Sequence, residues 1–252
     1  MSARKLDVMA TVSEAYRGAW THFSDMFRLI WLPGAIYILF AVATLFVDPK
    51  QDTFVIMLLE LGSLFLWPII AVAWHRFILL GDEPAGRIHF SFGQREARFL
   101  LVTIMLSLFM LPGFLCFILV GAMAQDGQGS TLPGLIAVLG LALELAGIFF
   151  AVRLSLLLPA VAVDEAVNAG RMLERTKGNF WRLLGVAILS ALPFFATLVL
   201  FDALPLALKA IGSAIVMLFY AIVSVAVLSI AYRELAGPAG THAPEREIDA
   251  TL

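Results

Sequence analysis

FFAVRLSLLLPAVAVDEAVNAGRMLERTKGNFWRLLGVAILSALP, residues Phe149–Pro193, decides how this chain is built. The stretch leaves an apolar run at Arg153, crosses an apolar patch broken by Pro159 and turns polar at Asp164. A short basic amphipathic segment follows, and Phe180-Trp181-Arg182 leads into the next apolar run. The rest of the chain varies this unit: apolar run out, basic segment, apolar run in.

Composition says what solvent such runs require. Of the 252 residues, 61% are hydrophobic and 14% charged, against roughly 45–50% and about 25% in soluble domains. A water-soluble globule of this length has too little interior for that apolar surface, so part of the solvent must be lipid. Six runs approach or exceed the roughly 20 residues needed to cross about 30 Å of hydrocarbon as a helix. They fall near Phe27–Val47, Thr53–Trp74, Phe99–Ala124, Leu132–Val152, Leu183–Phe201 and Leu206–Tyr232. The runs are too long and continuous for barrel strands, and an all-α membrane domain over residues 1–236 is expected.

The basic residues orient it. Of the 17 Lys and Arg, only Lys50 and Lys209 lie outside four segments: before run one, between two and three, between four and five, and after six. By the positive-inside rule both termini are expected in the cytoplasm of a bacterial inner-membrane protein. The short turns VDPKQD, AQDGQGSTLPG and Asp202–Pro205 close three hairpins on the other side. Ahead of the first run, Val8, Val12, Ala15, Tyr16, Ala19 and Phe23 recur at helical spacing, which predicts an amphipathic helix lying in the interface. Trp20, Phe23, Phe27 and Trp31 supply aromatic anchors. The beginning is basic but has no continuous apolar core before a cleavage site, so no cleavable signal peptide is expected. The polar tail over 237–252 is expected to be disordered.

An internal triplication is visible. Arg76, Arg153 and Arg233 follow the second run of each hairpin, 77 and 80 residues apart; Pro33, Pro112 and Pro193 mark the first, 79 and 81 apart. The units run over about 7–80, 87–163 and 164–235.

Candidate chemistry is sparse. Glu144 and Glu60 are the acids within apolar runs, about 13 Å from Arg153 and about 24 Å from Arg76 along their helices. An ionisable group at such depth binds a cation, relays a proton, holds a headgroup or fixes helix packing by a hydrogen bond. Gly140, Ala142, Ala146, Gly147 and Ala151 surround Glu144 at small-residue spacing, which predicts close helix contact and places the fourth run at the centre of the bundle. Arg153, Arg171, Arg175, Lys177, Arg182 and Trp181 form a basic, aromatic set suited to anionic lipid headgroups as well as to topology alone. Pro159, Gly178 and Asn179 read as a helix break and restart, Gly178 supplying a left-handed C-terminus and Asn179 an N-cap. His22, His75, His89 and His242 stand singly, the one cysteine, Cys116, has no partner, and no nucleophile elbow or phosphate loop is present. No cofactor, metal, nucleic acid or catalytic residue is therefore expected, and a membrane-embedded enzyme is the minor alternative.

Arg153, Pro159, Ala160, Asp164 and the run Thr176-Lys177-Gly178-Asn179-Phe180-Trp181 carry a resemblance. The stretch resembles the membrane-domain group of glycerophosphoryl diester phosphodiesterases and is similar to the YciC-like inner-membrane proteins. Met172, Leu173 and Glu174 stand where that group often has Ser-Trp. The resemblance implies a bacterial envelope role with no catalytic residues to carry over, the phosphodiesterase barrel having no counterpart here. A non-enzymatic, membrane-organising or lipid-contacting accessory protein is the leading expectation, with a membrane-protein partner or self-association. A transporter of a small amphiphile through a cavity near Glu144 and Glu60 is the other.

Overall fold

The structure, a computed structural model, describes residues 5–48, 50–82, 90–125 and 131–236. Within them the chain is all-helical: α1 Val8–Thr21, α2 Phe23–Ala43, α3 Thr53–Leu80, α4 Gln94–Ser107, α5 Leu111–Gln125, α6 Leu132–Leu154, α7 Leu157–Ala162, α8 Ala169–Arg175, α9 Phe180–Phe201 and α10 Leu206–Ala236. A 3₁₀ turn, Thr44–Phe46, extends α2. Five helical segments are long and apolar enough to cross a membrane, and α4 with α5 makes a sixth if the bent pair is one span. Large side chains such as Leu135, Val138, Val199 and Leu200 point outward, as a hydrocarbon solvent permits and water does not. The chain is an integral membrane protein. The tail over 237–252, together with Arg4, Arg87, His89, His242 and Arg246, lies outside the described residues.

The centre belongs to α10. Half of its most apolar window is buried, against 11% for the segment containing α6. Val223, Val225, Ala226, Val227, Ile230 and Ala231 fill the core from α10, and Ile70–Trp74 meet them from α3. Two buried polar contacts tie this pair: the Trp74 indole N–H donates to the Ile222 carbonyl at 3.2 Å, and His75 Nδ1 lies 2.7 Å from Ser229 Oγ. Ser229 donates in turn to the Val225 carbonyl. In an apolar interior such contacts spare polar groups the cost of burial unpaired, although His75 Nε2 is buried without a hydrogen-bond partner.

This corrects the expectation that the fourth run is central. The glycines of α6 do allow close contact, with α5 and with the turn that precedes it. A Cβ on Gly147 would stand 2.3 Å from the Phe109 carbonyl oxygen, and one on Gly140 2.8 Å from Cys116 Cβ. Small residues set how near one neighbour comes; how many neighbours a helix has is set elsewhere. The α5–α6 hairpin sits at the margin, with Leu139, Leu141 and Leu145 exposed.

The third run is also not continuous. It breaks at Leu108–Met110 with a 49° bend between α4 and α5. Pro112 has no N–H for the Leu108 carbonyl, and its ring opposes the helical path there. Leu111 N–H takes that carbonyl instead, in a tighter turn at 3.3 Å. Pro33, Pro68 and Pro193 sit inside α2, α3 and α9 without ending them.

Helix α1 uses its apolar face on protein. Thr11 and Ala15 are buried, and the Tyr16 hydroxyl donates to the Ser190 carbonyl of α9 at 2.7 Å while its ring stacks on Phe194. Trp20, Phe23, Phe27 and Trp31 remain exposed. Asp7 begins the helix by accepting the Ala10 N–H at 3.0 Å, a standard N-cap bond.

Gly147→Leu is expected to cost several kcal/mol, because backbone rather than a flexible side chain stands in its way. Gly121→Ala, which meets nothing within 4 Å, should be neutral or slightly stabilising. Thermal unfolding in detergent, followed by size exclusion, distinguishes the two.

Candidate functional site: the arginine-rich junction

The three landmark arginines end their helices at one end of the bundle, and each is taken by a different partner. Arg76 of α3 donates to Asp164 at 3.1 Å and to the Ala162 carbonyl at 3.3 Å, and also pairs with Asp82. Arg153 of α6 donates through Nε to Thr176 Oγ1 at 3.3 Å and through Nη2 to the Leu173 carbonyl, with its guanidinium 5.3 Å from the Phe149 ring centroid. Arg233 of α10 pairs with Glu14 of α1.

Asp164 is the node. Arg95, in the first turn of α4, grips both carboxylate oxygens at 2.7–3.1 Å while Arg76 takes one of them. Bidentate, charge-assisted bonds of this kind are the strong class. Asp164 stands at φ 62°, a left-handed conformation that aspartate tolerates better than most residues. It closes α7, whose Leu157, Pro159, Ala160, Val161 and Ala162 are all buried. One carboxylate thus joins α3, α4 and the end of α7. Its pKa is held below the ordinary aspartate range, first by the Arg95 hydrogen bonds, with burial opposing.

The helix break and restart follow the chain closely. α6 stops at Leu154, and Ser155, whose carbonyl Pro159 cannot bond, falls in the gap before α7. Gly178 closes the turn after α8 at φ 76°. Asn179 occupies the first position before α9, but its side chain does not cap that helix. It accepts the Leu6 backbone N–H at 3.0 Å, and Arg182 donates to the Leu6 carbonyl at 2.6 Å. Asn179 and Arg182 therefore pin the chain's beginning to α9. Arg175 faces Glu165 at 3.5 Å, both side chains mostly covered, next to buried Tyr232.

Of the lipid-contact set, Arg153, Arg175 and Arg182 are thus turned inward, while Arg171, Lys177 and Trp181 are exposed, Trp181 at 77%. Phe180 links inward ring to outward ring, with centroids 4.9 Å from both Phe149 and Trp181.

Glu144 and Glu60 are differently placed. Glu144 lies against α5, its Oε2 buried without a hydrogen-bond partner, and a Cβ on Gly113 would come within 2.4 Å of that oxygen. Glu60 is exposed on α3. Neither lines the cavity between α2, α3 and α10, and among the described residues no three His, Cys, Asp or Glu are grouped for a metal.

Asp164, Asp82, Glu14, Glu165 and the Leu6 backbone are what residue-type reasoning passed over as partners. The available signal was that acids flank the arginines on the same side of the runs. The chain matches no family model, no curated protein and no solved structure.

Asp164→Asn keeps a side chain that accepts the left-handed backbone and removes only the charge. It should lower stability at pH 7 by about 1 kcal/mol, since the pairs are half exposed. A depressed folded pKa contributes stability above the unfolded value, about pH 4, and loses it as pH falls through the folded value. The difference between wild type and variant in unfolding temperature should therefore shrink on acidification below that point, and remain unchanged from neutral pH down to it.

Proposed function

We propose that this protein is a non-enzymatic, multi-pass component of a bacterial inner membrane that contacts anionic lipid and serves as an accessory or organising element. The observation that carries this reading is the division of the basic set. Arg153, Arg175 and Arg182 hold the protein together; Arg171 and Lys177 on or beside α8, and Trp181 at the start of α9, are exposed on the same short stretch. Two cations and an indole at the end of a spanning helix match the headgroup layer in chemistry and depth.

The excess of Lys and Arg at this end supports cytoplasmic termini. The similarity of residues 153–181 to the glycerophosphoryl diester phosphodiesterase membrane-domain group supports the same envelope placement, and we propose that kinship with it. For Glu144 the close approach of Gly113 favours a packing role over a transport path. Copies of itself or another membrane protein are natural partners for the marginal α5–α6 hairpin, whose outer leucines meet no other part of the chain's core.

Orientation is tested in a Cys116→Ala background with Lys50→Cys or Lys177→Cys. On intact cells an impermeant maleimide should label position 50 and reach position 177 only after permeabilisation; the reverse pattern overturns the orientation. For lipid contact, Arg171→Gln/Lys177→Gln should weaken retention of phosphatidylglycerol in native mass spectrometry by about tenfold or more, at about 1 kcal/mol for each charge. Unchanged retention beside a phosphatidylcholine control would remove the headgroup site.

A further inference from the structure

A cavity of about 230 Å³ opens between α2, α3 and α10, away from the arginine junction. Its floor is Leu66 and Ile70, both buried, and its other lining residues are partly exposed, so it opens sideways. Leu66 and Ile70 stand midway along α3, and Tyr220 and Ala221 midway along α10, so the opening meets the hydrocarbon layer rather than either aqueous side. Pro33 and Pro68 interrupt the hydrogen-bond ladders of the two helices that flank it, as cavity-bordering helices in membranes often show.

The polar groups in its wall are of two kinds. Ser63 and Ser224 donate back to the Leu59 and Ala221 carbonyls of their own helices. Tyr37, Trp67 and Tyr220 carry two O–H groups and one N–H, and none of these has a hydrogen-bond partner among the described residues. Hydrocarbon offers no partner to a donor, and leaving one unsatisfied there is unfavourable. Among the described residues, no charged one lines the cavity.

We propose that this cavity is a binding site for an uncharged, carbonyl-bearing membrane lipid, a diacylglycerol or a prenylated quinone. Its carbonyl oxygens accept from Tyr37, Trp67 and Tyr220, and part of its chain lies on Leu66 and Ile70. Three donors without a charge select an acceptor that is neutral, because a phosphate cannot follow its chain to this depth. The volume is below the several hundred Å³ that enclose a whole drug-sized ligand, so it takes the polar head and the first stretch of chain, the remainder leaving through the lateral opening. The site is independent of the anionic headgroup contact at Arg171 and Lys177 and stands or falls separately from it.

The test uses the full chain in phosphatidylcholine nanodiscs with two photoactivatable probes, a diacylglycerol and a prenylquinone, each carrying a diazirine in its chain near the polar head. A phosphatidylglycerol with the same diazirine chain is the control. Labelling by at least one neutral probe should concentrate on residues 66–70 and 217–224, several-fold above the control, and identifies which lipid is taken. Ala221→Trp, which fills the cavity, should reduce that labelling at least fivefold without changing labelling of α5 and α6. Tyr37→Phe/Trp67→Phe/Tyr220→Phe, which removes the three unpartnered donors, should bring the neutral probe down to the control. Excess unlabelled lipid on the wild type gives the same reading without any variant, should a substitution disturb folding. Labelling no denser than on the outer face of α6, no competition, or full labelling of the triple Phe variant would overturn the proposal.

Discussion

The fold depends on keeping arginines at the ends of apolar helices from being stranded, and the Asp164 carboxylate is where that constraint is met most fully. Arg76 of α3 and Arg95 of α4 both need an anion close to the hydrocarbon boundary, and it comes from the far side of the α5–α6 hairpin. Asp164 supplies it only because α7 is buried and ends in a left-handed turn. The turn, the buried patch and the ion pairs therefore require one another. Without α7 in place the carboxylate is not presented; without the carboxylate two guanidinium groups crowd one region and lose their shared partner. Groups coupled in this manner do not contribute additively.

The same logic repeats with different chemistry at the other landmarks. Arg153 is satisfied by a hydroxyl, a carbonyl and a ring, and Arg233 by Glu14 of α1. Sequence spacing showed where these arginines recur, because lipid demands a charged end after every apolar run. It did not show what each one holds. Partner choice depends on which segment folds back over which helix end, and Leu6, Glu14 and Asp164 reach theirs from far along the chain or from a short turn.

The apolar runs themselves were the most legible feature, since length and composition alone specify a lipid-spanning helix. Two inferences drawn on top of them failed for separate reasons. Small residues along α6 were read as centrality, whereas its glycines record a close contact with α5 and the turn before it. The third run was read as continuous from Phe99 to Ala124, yet it bends by 49° just before Pro112, whereas α2 and α9 run on through Pro33 and Pro193. A proline removes the same hydrogen bond in each case; whether the helix tolerates the loss depends on its neighbours, and α5 at the margin has fewer of them. The Asn179 side chain shows the same limit at a single residue: the N-cap position was legible, but its use on Leu6 required the fold.

These placements separate the two ends of the argument about function. At the arginine-rich end nearly every inward charge is already engaged by the protein, so what is left for a partner is the exposed set on α8 and at the start of α9. Midway through the bundle the situation is reversed. Glu144 is closed upon by Gly113, while the cavity beside α10 has donors without acceptors and walls without charge. An acid deep in the membrane attracts attention first, but burial alone gives it no room for a ligand. Two tyrosines and a tryptophan, ordinary residues in any apolar run, acquire meaning only when three helices bring them to one opening.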